Sequence, residues 1–182
     1  MTVRFSVLIL MILINVGCKT TISTFQTTDP DKIGVKSNRF SGTIFKSSYP
    51  QKKLLISDTV NLNRFTPTEN QIKSAETILI LQIQEFNNPK VNQSKVEYVD
   101  KNLNSYFRQY VGFIDEKGDS IIHINFYWNK YTLSDRMKGY SDGRLSYTSG
   151  YSIMLDGGSQ YWNINVNLTI QKLERLEVNG IG

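Results

Sequence analysis

One histidine, His123, and one cysteine, Cys18, are the whole supply of imidazole and thiol in 182 residues. A zinc cluster built from His and Cys, or a Cys/His nucleophile pair, needs more than that supply can give. His123 lies in Ser120-Ile-Ile-His-Ile-Asn-Phe-Tyr-Trp128, on the polar side of an alternating run. In that setting it reads as a hydrogen-bonded sheet residue rather than a catalytic base. Asp142-Gly143 and Asp156-Gly157-Gly158 read as turns, because both residue types tolerate positive φ. Sixteen scattered acids offer no preferred pair of the kind glycoside hydrolysis requires. No phosphate loop, dinucleotide fingerprint or calcium loop occurs. The sequence therefore assigns no catalytic residue, no metal ligand and no cofactor.

Cys18 sits where a different chemistry is expected. Met1-Thr-Val-Arg4 gives a basic start, and Phe5-Ser-Val-Leu-Ile-Leu-Met-Ile-Leu-Ile14 follows as an almost uninterrupted apolar run. A membrane-spanning helix needs about 20 apolar residues, whereas the core of a signal peptide needs about 7 to 15. The run ends in Asn15-Val16-Gly17-Cys18, which resembles the lipobox of bacterial lipoproteins, with Asn15 where leucine is most frequent. The resemblance implies a diacylglyceryl group on the Cys18 thiol, cleavage between Gly17 and Cys18, and acylation of the new amine. Several acyl chains on one residue hold a protein stably on a bilayer. Lys19-Thr20 follows the cysteine without an aspartate, which in the family implies delivery to the outer membrane. As the only cysteine, Cys18 has no disulfide partner within the chain.

The formal charge of +5 is mild and scattered, with Lys52-Lys53 as the one basic pair singled out. Nucleic acid is therefore not an expected partner. Residues 18–38 are rich in Thr, Ser, Lys and Asp. They read as a lipidated cysteine and flexible tether, with a reach of about 25 Å for twenty residues. Residues 39–182 then form one domain.

Within that domain, Arg39 to Phe45 and Lys53 to Ile56 are short candidate strands. Thr66-Pro67-Thr68-Glu69 combines an N-cap threonine, a first-turn proline and a glutamate, predicting a helix over 67–86. Its apolar stripe runs Ile72, Ala75, Leu79, Ile83 and Phe86, widened by Ile78, Ile80 and Leu81. Val96, Val99, Leu103 and Tyr106 are spaced for a second, shorter helix or an extended segment. The period then changes to two. Phe107 to Ile114 and Ser120 to Trp128 form a hairpin through Gly118. Tyr151 to Leu155 pairs with Tyr161 to Ile170, and Arg175 to Val178 closes the meander. The fold class is α+β, one long helix packed on an antiparallel sheet of four or more strands. It resembles cystatin-like and NTF2-like folds in outline. Tyr106-Phe-Arg-Gln-Tyr-Val-Gly112, Asp156-Gly-Gly158 and Asn179-Gly180 are also similar to stretches of small envelope lipoproteins, a likeness that brings no activity with it.

The long connection from Asn129 to Gly150 carries Tyr131, Arg136, Tyr140, Arg144 and Tyr147, residue types enriched at binding hot spots. Beside it, Asn163, Asn165 and Asn167 line one face of the strand from Tyr161. These form the candidate binding surface. The expectation is an envelope lipoprotein, membrane-held through Cys18, that binds a protein or a glycan. The alternative is an inhibitor or immunity protein acting against an envelope enzyme or toxin.

Overall fold

The computed structural model describes residues 20–54, 56, 63–86, 99–130, 133–137, 146–154 and 157–179. Among them, eight strands form a single sheet and one long helix crosses one of its faces. The strands are β1 (Ile22–Gln26), β2 (Lys32–Ser37), β3 (Ser41–Phe45), β4 (Asn63–Phe65), β5 (Tyr106–Ile114), β6 (Ser120–Trp128), β7 (Tyr161–Asn167) and β8 (Lys172–Val178). The helix α1 spans Glu69–Phe86, and a short α2 spans Leu133–Met137. The sheet order is β1-β2-β3-β5-β6-β7-β8. β4 extends the β3 side of β5, pairing with Gly112 to Ile114 where β3 leaves off. All pairings are antiparallel except β3 with β5. Gly42 permits that parallel junction, since a Cβ there would lie 2.7 Å from the Arg108 carbonyl oxygen.

The expected tether is the largest departure. Residues 22–37, read as flexible, form the hairpin β1–β2 and belong to the sheet. Ile22, Ile33 and Val35 recur at strand spacing, and Val35 is fully buried. The polar residues between them organise the turn: Thr27 Oγ1 and Asp29 Oδ1 accept from the Asp29 and Asp31 amides at 3.2 and 3.0 Å. A Ser/Thr-rich composition describes turns and edge positions as well as tethers.

Helix α1 begins two residues later than the cap signal implied. Thr68, not Thr66, is the N-cap, and Gln71 completes the capping box: Thr68 Oγ1 accepts from the Gln71 amide, and Gln71 Oε1 accepts from the Thr68 amide at 2.9 Å. Thr66 Oγ1 instead accepts from the Ser47 amide at 3.0 Å. Glu69 is thereby freed to reach sideways to β1, where its carboxylate accepts from the Thr24 amide and hydroxyl. That covers an N–H of an edge strand, a group that invites pairing with other chains when left open. The buried stripe is Ile72, Ala75, Ile78, Leu79 and Ile83, whereas Ile80 and Leu81 are exposed. The helix therefore rests on one sheet face, not between two layers.

The hairpin β5–β6 and its faces are as the alternation predicts, with Gly118 at φ +86° in the turn. β7 stops at Asn167 rather than Ile170, because the Asn167 side-chain oxygen accepts from the Thr169 and Ile170 amides and bends the chain. In place of the expected strand over 53–56, Gln51–Lys53 forms a 3₁₀ turn and Leu54 is buried beside it. Val99–Ser105 is likewise 3₁₀, while Val96 lies outside the described residues. The expected strand at Tyr151 is also absent: residues 146–154 form an irregular strap over the sheet face opposite α1.

Candidate functional site

The strap gathers most of the residues singled out on the polar face. An irregular segment cannot satisfy its own backbone, so the sheet side chains beneath it must. Thr43 Oγ1 donates to the Tyr147 carbonyl at 3.2 Å, and Lys32 Nζ donates to that of Thr148 at 2.6 Å. Gln109 donates to the Gly150 carbonyl at 2.9 Å and accepts from the Ser152 amide at 3.3 Å. Asn125 and the Tyr127 hydroxyl both donate to the Ser152 carbonyl. Burial pushes the Tyr127 phenol up to about 12.

His123 is buried in the same seam. Its Nδ1 lies 2.8 Å from Asn165 Oδ1 and its Nε2 lies 2.9 Å from the Tyr151 hydroxyl. An amide oxygen can only accept, so Nδ1 carries a proton and Nε2 faces the phenol. Nδ1 thus ties β6 to β7 within the sheet, and Nε2 ties the sheet to the strap. Tyr151 also packs on Phe45 within a second apolar cluster with Tyr49, Leu54 and Val111, and burial raises its phenol well above the usual range.

The candidate surface is accordingly drawn into the fold where it is described. Tyr147 packs edge-on against Phe25, its ring centroid 4.8 Å away, and its hydroxyl donates to Ser41 Oγ. Asn163 and Asn165 are half-buried, the first donating to Glu177 at 3.3 Å. Asn167 is 1% exposed and donates to Asp119 and Glu174 while shaping its turn. Tyr131, Tyr140 and Arg144 lie outside the described residues, and Arg136 is placed by its backbone alone, in α2. Gly17 and Cys18 also lie outside them.

The other face holds a site that the alternation pattern did not single out. Glu76 and Arg108 are 2% and 1% exposed, and Arg108 Nε stands 2.9 Å from Glu76 Oε1. The Tyr110 hydroxyl donates to that same oxygen at 2.7 Å. The guanidinium lies over the Phe40 ring, its carbon 3.6 Å from the centroid, with the Phe126 ring at 5.2 Å. Cation–π contact strengthens when it is desolvated, as here. Burial pushes the Glu76 carboxyl up, and the charge of Arg108 and the Tyr110 hydrogen bond work against that push. The pair is incompletely satisfied: Glu76 Oε2 has no hydrogen-bond partner among the described residues, and the Arg108 Nε contact falls short of hydrogen-bond geometry. Among the described residues, the acceptor for this guanidinium beyond Nε is the Tyr106 carbonyl, 3.2 Å from Nη1.

A cavity of about 230 Å³ opens over this pair, with Glu76 and Arg108 lining it among Ile83, Leu103, Gln84 and Asn104. Thr20 and Ile80 stand at the same cavity, and a second hollow of about 350 Å³ adjoins it across Arg39 and Phe40. Two signals pointed here in the sequence. Glu76 occupies a core position of the helix, four residues after Ile72 and three before Leu79, and Arg108 alternates with Tyr106 and Tyr110 on the apolar face of β5. Ionised groups in such places are almost always paired. A larger groove of about 560 Å³ between α1 and the β7–β8 turn is lined by Lys73, Thr77, Thr169 and Gln171, with no buried ionisable group among them.

Among the described residues, no three His, Cys, Asp or Glu side chains are grouped to hold a metal ion. No helix among them is long and apolar enough to cross a membrane. Comparison with protein-family models, with curated proteins and with solved structures gives no match to this chain.

Proposed function

We propose that this protein is a lipid-anchored module of the bacterial cell envelope, carried to the outer membrane, that acts by binding a partner protein or a glycan rather than by turnover. The apolar run ending in Asn15-Val16-Gly17-Cys18 carries this reading. The engagement of both His123 ring nitrogens, by Asn165 of β7 and Tyr151 of the strap, supports binding over general-base chemistry, because a base must be within reach of a substrate proton. A helix laid on one face of a mostly antiparallel sheet supports the cystatin-like or NTF2-like outline, with β1–β3 and their parallel junction as additions to it.

The fold also sharpens what anchoring would mean. Only Lys19, Thr20 and Thr21 separate Cys18 from the first residue of β1. Four Cα steps span at most about 14 Å, so the domain would be held against the headgroups with little freedom to swing. Mass spectrometry of the protein extracted from envelopes tests the reading. A chain beginning at Cys18 and bearing the added mass of a diacylglyceryl and an acyl group is expected, in the outer-membrane fraction. A chain with an unmodified Cys18 overturns the proposal.

A further inference from the structure

The cavity above Glu76 and Arg108 has a floor of unusual composition. Glu76 Oε2 is a buried acceptor without a donor among the described residues, and of the five guanidinium N–H groups of Arg108 only one, on Nη1, hydrogen-bonds to a described residue. The two charges of the floor cancel within the ion pair. Arg39, Asp100 and Lys101, which also border the cavity, have partners of their own. An added net charge therefore has no counter-charge waiting, while a neutral group that donates at one atom and accepts at another meets both unmet needs. A buried donor or acceptor left unpaired is costly, which makes such a floor selective for a group that completes it. The walls add a second requirement, since Ile80, Ile83 and Leu103 offer apolar carbon. The remaining border, Thr20, Gln84 and Asn104, offers neutral polar groups suited to hydroxyls.

From these we infer that the cavity binds a small neutral ligand bearing a secondary carboxamide, in the form of an N-acetylated amino sugar. The amide N–H donates to Glu76 Oε2, the amide carbonyl accepts from Arg108, the methyl group lies on Ile83 and Leu103, and the ring hydroxyls face the polar border. The volume fits this scale, falling below the roughly 300 Å³ at which pockets for drug-sized molecules begin. This assignment deepens the glycan branch of the function proposed above and rests on it. It also places the sugar near the anchor, because Thr20 is two residues from Cys18.

Calorimetric titration of the full-length protein in detergent with N-acetylglucosamine, glucosamine and glucose tests the site. Saturable binding of N-acetylglucosamine is expected, with glucose and glucosamine each at least about tenfold weaker, since a site that hydrogen-bonds a ligand group rejects analogues lacking it. Glu76→Gln should weaken N-acetylglucosamine by a similar factor. Because that change falls in the core, Ile80→Trp serves as a second variant: Ile80 is 44% exposed, so the indole can fill the mouth without disturbing packing. A folded Ile80→Trp protein that no longer binds supports the site. Binding that Ile80→Trp leaves unchanged, equal binding of the three sugars, or no binding to the unaltered protein overturns it. Cys18→Ser separates the two proposals: it removes the anchor and should leave sugar binding intact.

Discussion

On one face of the sheet, the 18 residues of α1 bury Ile72, Leu79 and Ile83 against Ile124, Ile164, Val166 and the stacked rings of Phe126 and Trp162. On the other, the irregular strap of residues 146–154 lies on Thr43, Gln109, Asn125 and Tyr127. A helix closes its backbone hydrogen bonds internally and asks only for apolar surface beneath it. A strap has carbonyls to place, so the face under it must carry amides and hydroxyls at the right spacing. The contrast explains why, among the described residues, buried polar side chains crowd one face while the other carries the buried Glu76–Arg108 pair.

The comparison can be broken most forcibly at that ion pair. Arg108→Leu strands Glu76 in the core and should destabilise the protein by about 3 to 5 kcal/mol in urea unfolding. Replacing both partners, Glu76→Leu with Arg108→Leu, should return stability to within about 1 kcal/mol of the parent, since apolar substitutes for buried pairs are often neutral or better. A double variant as unstable as the single one would mean that the pair specifies the helix position.

On the strap face, Gln109→Leu removes partners from Gly150 and Ser152 together, with an expected loss of about 1 to 3 kcal/mol. Hydrogen exchange at the Ser152 amide should accelerate more than at Ile124 or Ile164, because the damage is local to the strap. Uniform acceleration would show that strap and sheet unfold as one unit.

A smaller gain is expected at the edge strand β8, where Arg175 sits at φ +53° in a bulge opposite β7. Arg175→Gly relieves an arrangement that side chains disfavour and should stabilise by about 0.5 to 1 kcal/mol in thermal unfolding.

The smallest effect is in pH. Hydrogen bonds from Lys73 and then Thr24 hold the Glu69 carboxyl below its usual value, and those from Lys32 and the Asp31 amide do the same for Asp29. Their contribution is present above the ordinary carboxylate range and is lost as pH falls through the lowered values. Glu76 has the opposite sign: its raised value opposes folding as pH climbs past about 4.5. Glu69→Gln should therefore flatten the acid limb of a stability–pH curve, leaving any decline above pH 4.5 in place.

The contrast between the faces also marks what was readable in the residues. β6 and β7 announced themselves because Ile122, Ile124, Phe126 and Trp162, Ile164, Val166 alternate with polar neighbours. The cover on the polar side was not readable in that alternation, since His123 and Asn165 look the same under a strap as under water. β5 held the clue: Tyr106 to Ile114 scarcely alternates, with Phe107, Val111 and Phe113 on the side away from α1, as expected of a strand covered on both faces. For the cavity, the signals at Glu76 and Arg108 were local, but their meeting depends on how α1 crosses β5, which spacing along the chain does not encode.

The lone parallel pairing, Gly42 to Phe45 against Arg108 to Val111, has a consequence for the order in which the chain assembles. β1, β2 and β3 can fold on each other as soon as they exist, but their inner edge has no partner until β5 is made more than sixty residues later. Contacts of such separation form slowly, and an unpaired edge is exposed to misassembly while it waits. Until then the three-stranded β1–β3 unit keeps an open inner edge, and the docking of β3 on β5 is the step at which two half-sheets become one.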